Sequence, residues 1–221
     1  MKPSKAYILR IDNPISHDYA KTCANSCEKV GLEYEYFDGY YKLDQNTLWK
    51  QLPLQFKINH VMDDGAACAT AGHFMIWDKI AKSDQAAVIL EHDAIMLHPM
   101  NFDIPDNFIV TLGYKFRDAY RYNHVAAGPT QRLIDLRHHG GAHAYAITPT
   151  TARALLEELN DVGVIEAIDN MYFMRNARRS RIPMKIADPT PAIGWLRKST
   201  IWNDSAEMNW PPIDSFLQNY K

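Results

Sequence analysis

Cysteine is scarce in this chain of 221 residues, which contains only Cys23, Cys27 and Cys68. So small and odd a set does not make a disulfide framework, and this favours a reducing compartment. Residues 1–10 lack the apolar run of a signal peptide. No stretch approaches the roughly 18 consecutive apolar residues of a membrane-spanning helix. We therefore expect a cytoplasmic protein with no membrane span, in the host cytoplasm if its source is viral.

An excess of charge of one sign is also missing, since the formal net charge is −2. A chain-wide attraction to nucleic acid or to anionic lipid is therefore not expected. The sequence has neither an internal repeat nor a Gly/Ser/Pro-rich linker, and 47% of its residues are hydrophobic. These features predict a single domain over residues 1–221, with an irregular C-terminal tail over residues 196–221.

Short apolar runs alternate with segments in which apolar residues recur at helical spacing. This alternation predicts an α/β fold with a mostly parallel mixed sheet. The predicted strands are Ala6–Ile11, Leu32–Phe37, Ala86–Leu90, Asn107–Leu112, Ala142–Thr148 and Met184–Ala187, and the predicted helices are Ser16–Val30, Asp64–Lys82, Thr150–Leu159 and Ile165–Arg175. Residues 40–60 are ambiguous, because Pro53 interrupts any long helix there.

The apolar run Ala86–Leu90 ends abruptly in Glu91-His92-Asp93. Ligands of open α/β sheets bind at the carboxyl ends of the strands, where two carboxylates can hold a divalent cation that neutralises a diphosphate. The alternative is a pair of solvated acids in a turn. The pattern alone leaves both interpretations open.

Several segments, taken in order, resemble glycosyltransferase family 25, which includes lipopolysaccharide-biosynthesis sugar transferases and collagen galactosyltransferases. The first two segments are Gly65-Ala-Ala-Cys68-Ala-Thr-Ala-Gly-His73-Phe-Met-Ile-Trp77 and Ala87-Val-Ile-Leu-Glu91-His-Asp93-Ala94. The others are Ala6–Asp12, Glu35–Gly39, Gly141–Pro149 and Ile168–Met171. The resemblance implies a GT-A-like, nucleotide-binding α/β/α sandwich, a UDP-sugar as co-substrate, and Mn²⁺ or Mg²⁺ as the metal.

The resemblance also implies a set of site residues. The metal would be held by Asp93, Glu91 and His143, and the donor would be bound by Arg10, Asp12, His73, Trp77, Glu91 and Asp93. For His73 the alternative is a structural histidine with satisfied hydrogen bonds, and for Trp77 it is packing. The sequence departs from the family pattern at His92, where an aspartate is usual, and at Asn13-Pro14-Ile15, where basic residues are usual.

Inverting transfer needs a base that deprotonates the acceptor hydroxyl. The resemblance makes Asp169 the candidate catalytic base, with Asp93 as the second choice. The alternative role for Asp169 is a helix N-cap.

One marked basic cluster comprises Arg175, Arg178, Arg179, Arg181 and Lys185. Arg178 and Arg179 are the candidate contacts to a phosphate-rich acceptor. A solvated helix end is the simpler alternative.

Three functions follow from these observations. The first is transfer of a hexose from UDP-galactose or UDP-glucose to a hydroxyl of a glycan acceptor, with lipopolysaccharide as the simplest acceptor. The second is a viral transferase that acts on hydroxymethylated DNA bases or on a protein hydroxyl, so that nucleic acid would be a partner only as acceptor. The third is a nucleotide- or carbohydrate-binding module that no longer catalyses transfer.

Overall fold

A computed structural model describes residues 1–114, 129–130, 132–174 and 180–194 of the chain. Its strands are β1 (Pro3–Arg10), β2 (Glu33–Asp38), β3 (Ala86–Glu91), β4 (Ala94–Met96), β5 (Ile109–Thr111), β6 (Arg132–Leu136), β7 (Ala144–Ile147), β8 (Met184–Asp188) and β9 (Ala192–Gly194). Its α-helices are α1 (Pro14–Lys29), α2 (Gln45–Gln51), α3 (Asp64–Ala81) and α4 (Pro149–Val162), followed by a π-helical turn at Asp169–Phe173.

Seven of these strands form one sheet in the order β2-β1-β3-β7-β5-β8-β6. Strands β2, β1, β3, β5 and β8 run in one direction, and β7 and β6 run in the other. Strands β4 and β9 form a separate antiparallel pair. This arrangement confirms the prediction of an α/β fold with a mostly parallel mixed sheet.

Strand β3 lies between β1, to which it is parallel, and β7, to which it is antiparallel. Its residues Ala86–Leu90 are buried, because helices cover both faces of the sheet at this point. On one face, Ile89 packs in a core formed with α3 and α4. On the other face, Val88 and Leu90 pack against α1, whose Cys23 and Cys27 are buried core thiols. The three layers therefore form an α/β/α sandwich.

The helices begin where the sequence supplies capping side chains. The Asn13 side chain accepts a hydrogen bond from the Ile15 N–H, and Pro14 follows it at the first turn of α1. The Asp63 carboxylate caps α3 by accepting from the N–H groups of Gly65 and Ala66. These caps, together with the Pro149 start of α4, explain why the helix positions were predictable.

The largest differences from the sequence prediction lie in residues 40–60 and 165–175. The first segment contains α2, which is capped by Asp44 and ends before Pro53. In the second segment, residues 165–167 are not helical, and the turn at Asp169–Phe173 is of the π type. The chain is extended just before them, because Val164 forms a β-bridge with Ile58. The predicted tail over residues 196–221 lies outside the described residues.

No helix in these described segments is both long enough and apolar enough to cross a membrane.

A glycine-to-alanine change at Gly113 tests the junction between β9 and residues 112–114. A Cβ atom at Gly113 would lie 1.8 Å from the carbonyl oxygen of Ala192, which is fixed backbone. Because neither strand can give way, we expect Gly113→Ala to lower the free energy of unfolding by about 3 kcal/mol or more in urea denaturation. Gly31→Ala is the control, since no atom lies within 4 Å of its Cβ position and only its φ of +70° opposes the change. A Gly113→Ala protein as stable as Gly31→Ala would contradict the described junction.

Candidate active site

The parallel strands β2, β1 and β3 end together at one edge of the sheet. The register pairs Arg10 with Asp38, and Leu9 with Glu91. The Arg10 Nε donates to Asp38 Oδ1 at 2.6 Å, and its guanidinium carbon lies 4.1 Å from the centre of the Tyr36 ring. Asp12 follows in the next loop and is exposed. The structure therefore places the predicted donor residues Arg10 and Asp12 at the same edge as Glu91.

Two glycines allow the loops at this edge to pack closely. A Cβ atom on Gly39 or on Gly72 would lie 2.8 Å from Leu9 Cδ1. Gly72 belongs to α3, so the missing side chain brings this helix against the end of β1. The next residue of the helix, His73, is thereby placed beside the end of β3.

A buried polar network joins α3 to β7 and reaches Glu91. The Trp77 Nε1–H donates to the Tyr145 hydroxyl at 2.7 Å, and His73 Nδ1 lies 2.9 Å from the same oxygen. The other ring nitrogen of His73 lies 3.4 Å from Glu91 Oε1. His73, Trp77 and Tyr145 are all fully buried, whereas the Glu91 side chain is 25% exposed. Glu91 is thus the one member of this network that faces solvent.

Burial raises the pKa of Tyr145 well above its usual range, and the nearby carboxylates of Glu91 and Asp169 raise this pKa further. The Trp77 hydrogen bond acts in the opposite direction but is the smaller effect. Tyr145 therefore keeps its proton at neutral pH and can donate as well as accept.

The turn after β3 sends the next two side chains toward α1. The ring of His92 stacks on Tyr19, with 5.8 Å between the ring centroids. Burial raises the pKa of Cys23 well above its usual range, the neighbouring Cys27 raises it further, and the charge of Asp93 adds a smaller contribution. Glu91 therefore contacts α3, whereas Asp93 lies near the α1 side of the strand end.

Within the residues that the structure describes, no group of three or more His, Cys, Asp or Glu side chains is placed to hold a metal ion. The predicted third ligand, His143, is buried, and its Nε2–H donates to the carbonyl oxygen of Gly113 at 2.9 Å. Its ring also fills the space left by Gly194, where a Cβ would lie 2.7 Å from ring carbons. His143 therefore has a structural role, because it contacts the backbone at Gly113 and at Gly194.

Asp169 begins the π-helical turn, and its Oδ1 accepts a hydrogen bond from the Ala142 N–H at 2.8 Å. Its charge acts on the pKa of Tyr145, which places it near the buried network. The residue at the cap position of the turn is Ile168, with no side-chain cap, so Asp169 is not an N-cap. Its carboxylate instead anchors the chain just before β7.

From the sequence, His138-His139-Gly140-Gly141 is interpreted as a flexible loop over the site, with solvated histidines as the alternative. The structure differs, because His139 is buried beside this anchor. Its Nδ1 is 2.7 Å from the Gly141 carbonyl oxygen, and its Nε2 is 2.6 Å from the Gly113 carbonyl oxygen. Carbonyl oxygens only accept, so His139 donates to at least one of these two oxygens. His139 and His143 together tie the loop before β7 to the end of β5.

The predicted acceptor residues Arg178 and Arg179 lie outside the described residues, as does Arg175. Two other members of the basic cluster are described. The Arg181 side chain is exposed, and its backbone N–H donates to Glu158. Lys185 on β8 forms an ion pair with Asp135 on β6. The role of this cluster in acceptor binding stays a prediction.

In a comparison with known protein families, residues 15–106 match the model of glycosyltransferase family 25 (LPS biosynthesis protein). No curated protein matches the chain. The match confirms the resemblance found in the sequence over these residues, which make up less than half of the chain. The three-layered mixed sheet confirms the expected α/β/α sandwich.

Three solved structures to which this chain is similar are structures of glycosyltransferases. GlyE of Streptococcus pneumoniae TIGR4 is 12% identical with a TM-score of 0.46, and the alignment covers 99% of this chain and 60% of GlyE. A glycosyltransferase involved in glycosylation of the major capsid of PBCV-1 is 10% identical with a TM-score of 0.37, covering 97% of this chain and 98% of that one. A mutant Drosophila β-1,4-galactosyltransferase 7, in complex with manganese, UDP-Gal and xylobiose, is 9% identical with a TM-score of 0.31, covering 93% of this chain and 100% of that one. This chain therefore spans about 60% of the length of GlyE.

Trp77→Phe tests the energetic role of the buried network. The change removes the indole N–H that donates to Tyr145 and leaves a small cavity, so we expect the free energy of unfolding in urea to fall by about 2 kcal/mol. A double-mutant cycle with Tyr145→Phe is the control, because the coupling energy separates the hydrogen bond from the cavity. A coupling energy of zero would show that the Trp77–Tyr145 hydrogen bond contributes nothing.

Proposed function

We propose that this chain, a glycosyltransferase similar to family 25 over residues 15–106, transfers a hexose from UDP-galactose or UDP-glucose to a hydroxyl group of a glycan, with inversion at the anomeric carbon. The observation that carries this proposal is the meeting of Arg10, Asp12 and Glu91 at the carboxyl edge of three parallel strands. Ligands of open α/β sheets bind at this edge. The chemistry of these residues suits a nucleotide diphosphate held close to an acidic strand end.

The donor site in this proposal has a cationic side, formed by Arg10, and an acidic side, formed by Glu91 and Asp93. Arg10 supplies a guanidinium that is already oriented by Asp38 and by the ring of Tyr36. Asp12, exposed in the following loop, is available to the ribose or base of the nucleotide. His73 and Trp77 are too deeply buried to touch the donor. We therefore assign them a structural role, in which His73 contacts Glu91 directly and Trp77 acts through Tyr145.

The acidic side of the proposed site is suited to hold a divalent cation. Mg²⁺ in phosphate-handling sites is often held by one or two carboxylates plus the substrate phosphates, so a group of three protein ligands is not required. Asp93 and Glu91 supply hard oxygen atoms of this kind, and Glu91 is partly exposed. His143 suits the metal less well, because its ring is buried and its Nε2–H is bonded to Gly113. When bound, Mg²⁺ or Mn²⁺ would neutralise charge on the diphosphate leaving group.

Asp169 is the proposed catalytic base. In an inverting transfer, the base takes the proton of the acceptor hydroxyl while its oxygen bonds to the anomeric carbon and the bond from that carbon to the diphosphate oxygen breaks. The Ala142 N–H fixes one oxygen of Asp169, which orients the carboxylate without neutralising it. Asp93 is the second candidate for this role. Arg178 and Arg179 are proposed contacts to a phosphate-bearing acceptor.

A binding module without transferase activity is the second candidate. The departures from the family pattern at His92 and at Asn13-Pro14-Ile15 favour it. Hydrolysis of the donor without acceptor separates the two functions, since a pure binder releases no UDP from UDP-galactose.

Asp93→Asn tests the donor site. The change keeps the size of the side chain and removes its charge, so we expect Mn²⁺-dependent binding of UDP-galactose to weaken by roughly tenfold to a hundredfold in calorimetry. The control is Asp84→Asn, an exposed aspartate near the opposite end of β3. Unchanged donor affinity in Asp93→Asn, with binding intact in Asp84→Asn, would remove Asp93 from the site.

Asp169→Asn tests the base. Asparagine keeps an oxygen that can accept from the Ala142 N–H but cannot take a proton, so we expect kcat to fall by roughly a hundredfold or more while donor affinity and stability are retained. Asp169→Ala, which also loses the Ala142 hydrogen bond, should in addition lower stability by about 1 kcal/mol. Full turnover by Asp169→Asn would exclude this residue as the base.

A further inference from the structure

We propose that Tyr145 is a positioning residue of the donor site: through His73 it fixes the ring proton that faces Glu91, and it thereby holds the Glu91 carboxylate in one orientation. The inference rests on the proposed function in one respect, because it assumes that Glu91 faces the metal and the donor. The hydrogen-bond relay itself depends only on the described contacts.

The direction of the relay follows from its first member. An indole N–H can only donate, so the Tyr145 oxygen accepts from Trp77. The tyrosine proton is then directed to its second polar partner, His73 Nδ1, at 2.9 Å. A His73 ring that accepts at Nδ1 carries its proton on Nε2, the nitrogen nearest Glu91 Oε1. The three bonds therefore run one way, from Trp77 to the carboxylate.

Burial limits what each member can do. Trp77, Tyr145 and His73 are completely shielded from solvent, so none of them can contact a substrate directly. Glu91 is the exposed end, and any effect of Tyr145 on a ligand must pass through it. The three buried residues can therefore position Glu91, but they cannot bind a ligand themselves.

Strand β7 holds Glu91 by two routes. The backbone N–H of Glu91 donates to the His143 carbonyl oxygen at 2.9 Å. The side chain of Glu91 is contacted by His73, which in turn contacts Tyr145 on β7, two residues after His143. Because the same strand fixes both the backbone and the carboxylate, the position of β7 sets the position of the acidic strand end.

Nitrogen NMR on histidine-labelled protein tests the relay without any sugar chemistry. The chain has nine histidines, and His73→Gln identifies the His73 signal by its loss. We expect His73 to carry its proton on Nε2. In Tyr145→Phe the Nδ1 atom loses its hydrogen-bond donor, so we expect the fraction of the Nε2-protonated form to fall. Tyr7→Phe, a buried tyrosine on β1, is the matched control and should change nothing. A His73 proton on Nδ1, or a signal unaffected by Tyr145→Phe, would overturn the relay.

The consequence for the site is tested by the Mn²⁺ concentration that half-saturates UDP-galactose binding. Mutation of a residue that orients a metal ligand typically lowers metal affinity by 10- to 100-fold. We therefore expect Tyr145→Phe to raise this Mn²⁺ concentration by about tenfold or more. In His73→Gln the amide nitrogen can still donate to Glu91 without help from Tyr145. Adding Tyr145→Phe to His73→Gln should therefore change the value by less than about twofold, which a double-mutant cycle measures.

The outcomes separate the two proposals. Wild-type protein that binds no UDP-galactose with Mn²⁺ contradicts the proposed function, whereas the NMR experiment still decides whether the relay exists. Wild-type binding that Tyr145→Phe leaves unchanged contradicts the positioning role and leaves the proposed function standing. Unfolding temperatures of all variants show whether a loss reflects the site or the fold. If Tyr145→Phe does not fold, the His73 signal of the wild-type protein still decides, because a proton on Nδ1 overturns the relay.

Discussion

Burial of β3 on both faces, between a parallel and an antiparallel neighbour, is the constraint on which the site depends. Because β1 is parallel, its end and the loop after it arrive at the same edge as Glu91. Because β7 is antiparallel, its beginning arrives there as well, bringing His143 and Tyr145. The edge therefore combines the ends of three strands with the start of a fourth. Asp169 joins this group through its hydrogen bond to Ala142, just before β7.

The interior behind this edge is polar, and its groups satisfy one another. Leaving a buried donor or acceptor without a partner costs about 1–3 kcal/mol, so the Trp77–Tyr145–His73 chain stabilises the fold only as a complete set. Its one exposed end is a carboxylate at the mouth of the proposed donor site. The arrangement therefore links the stability of the α3–β7 contact to the orientation of Glu91.

The fold was largely predictable from the sequence, whereas the site was only partly so. Apolar runs and capping residues located β1, β3, α1, α3 and α4, since these signals are local. Strands β4, β6 and β9 escaped prediction. Strands β4 and β9 have only three residues each, and β6 is an edge strand whose residues are exposed or half-buried. The partnership of His73 with Tyr145 spans 72 residues of sequence, so no spacing rule could reveal it. His139 was missed for a similar reason, because one of its partners is the backbone carbonyl of Gly113 and not a side chain with a recognisable pattern.

The central claim is that a nucleotide sugar binds at the carboxyl edge of β1, β2 and β3. Hydrogen–deuterium exchange with and without UDP-galactose and Mn²⁺ tests it most directly. The account predicts slower exchange of backbone amides at residues 10–12, 39 and 91–93, with no change at residues 83–85 near the opposite end of β3. Protection confined to residues 83–85, or no donor-dependent protection at any of these positions, would contradict it.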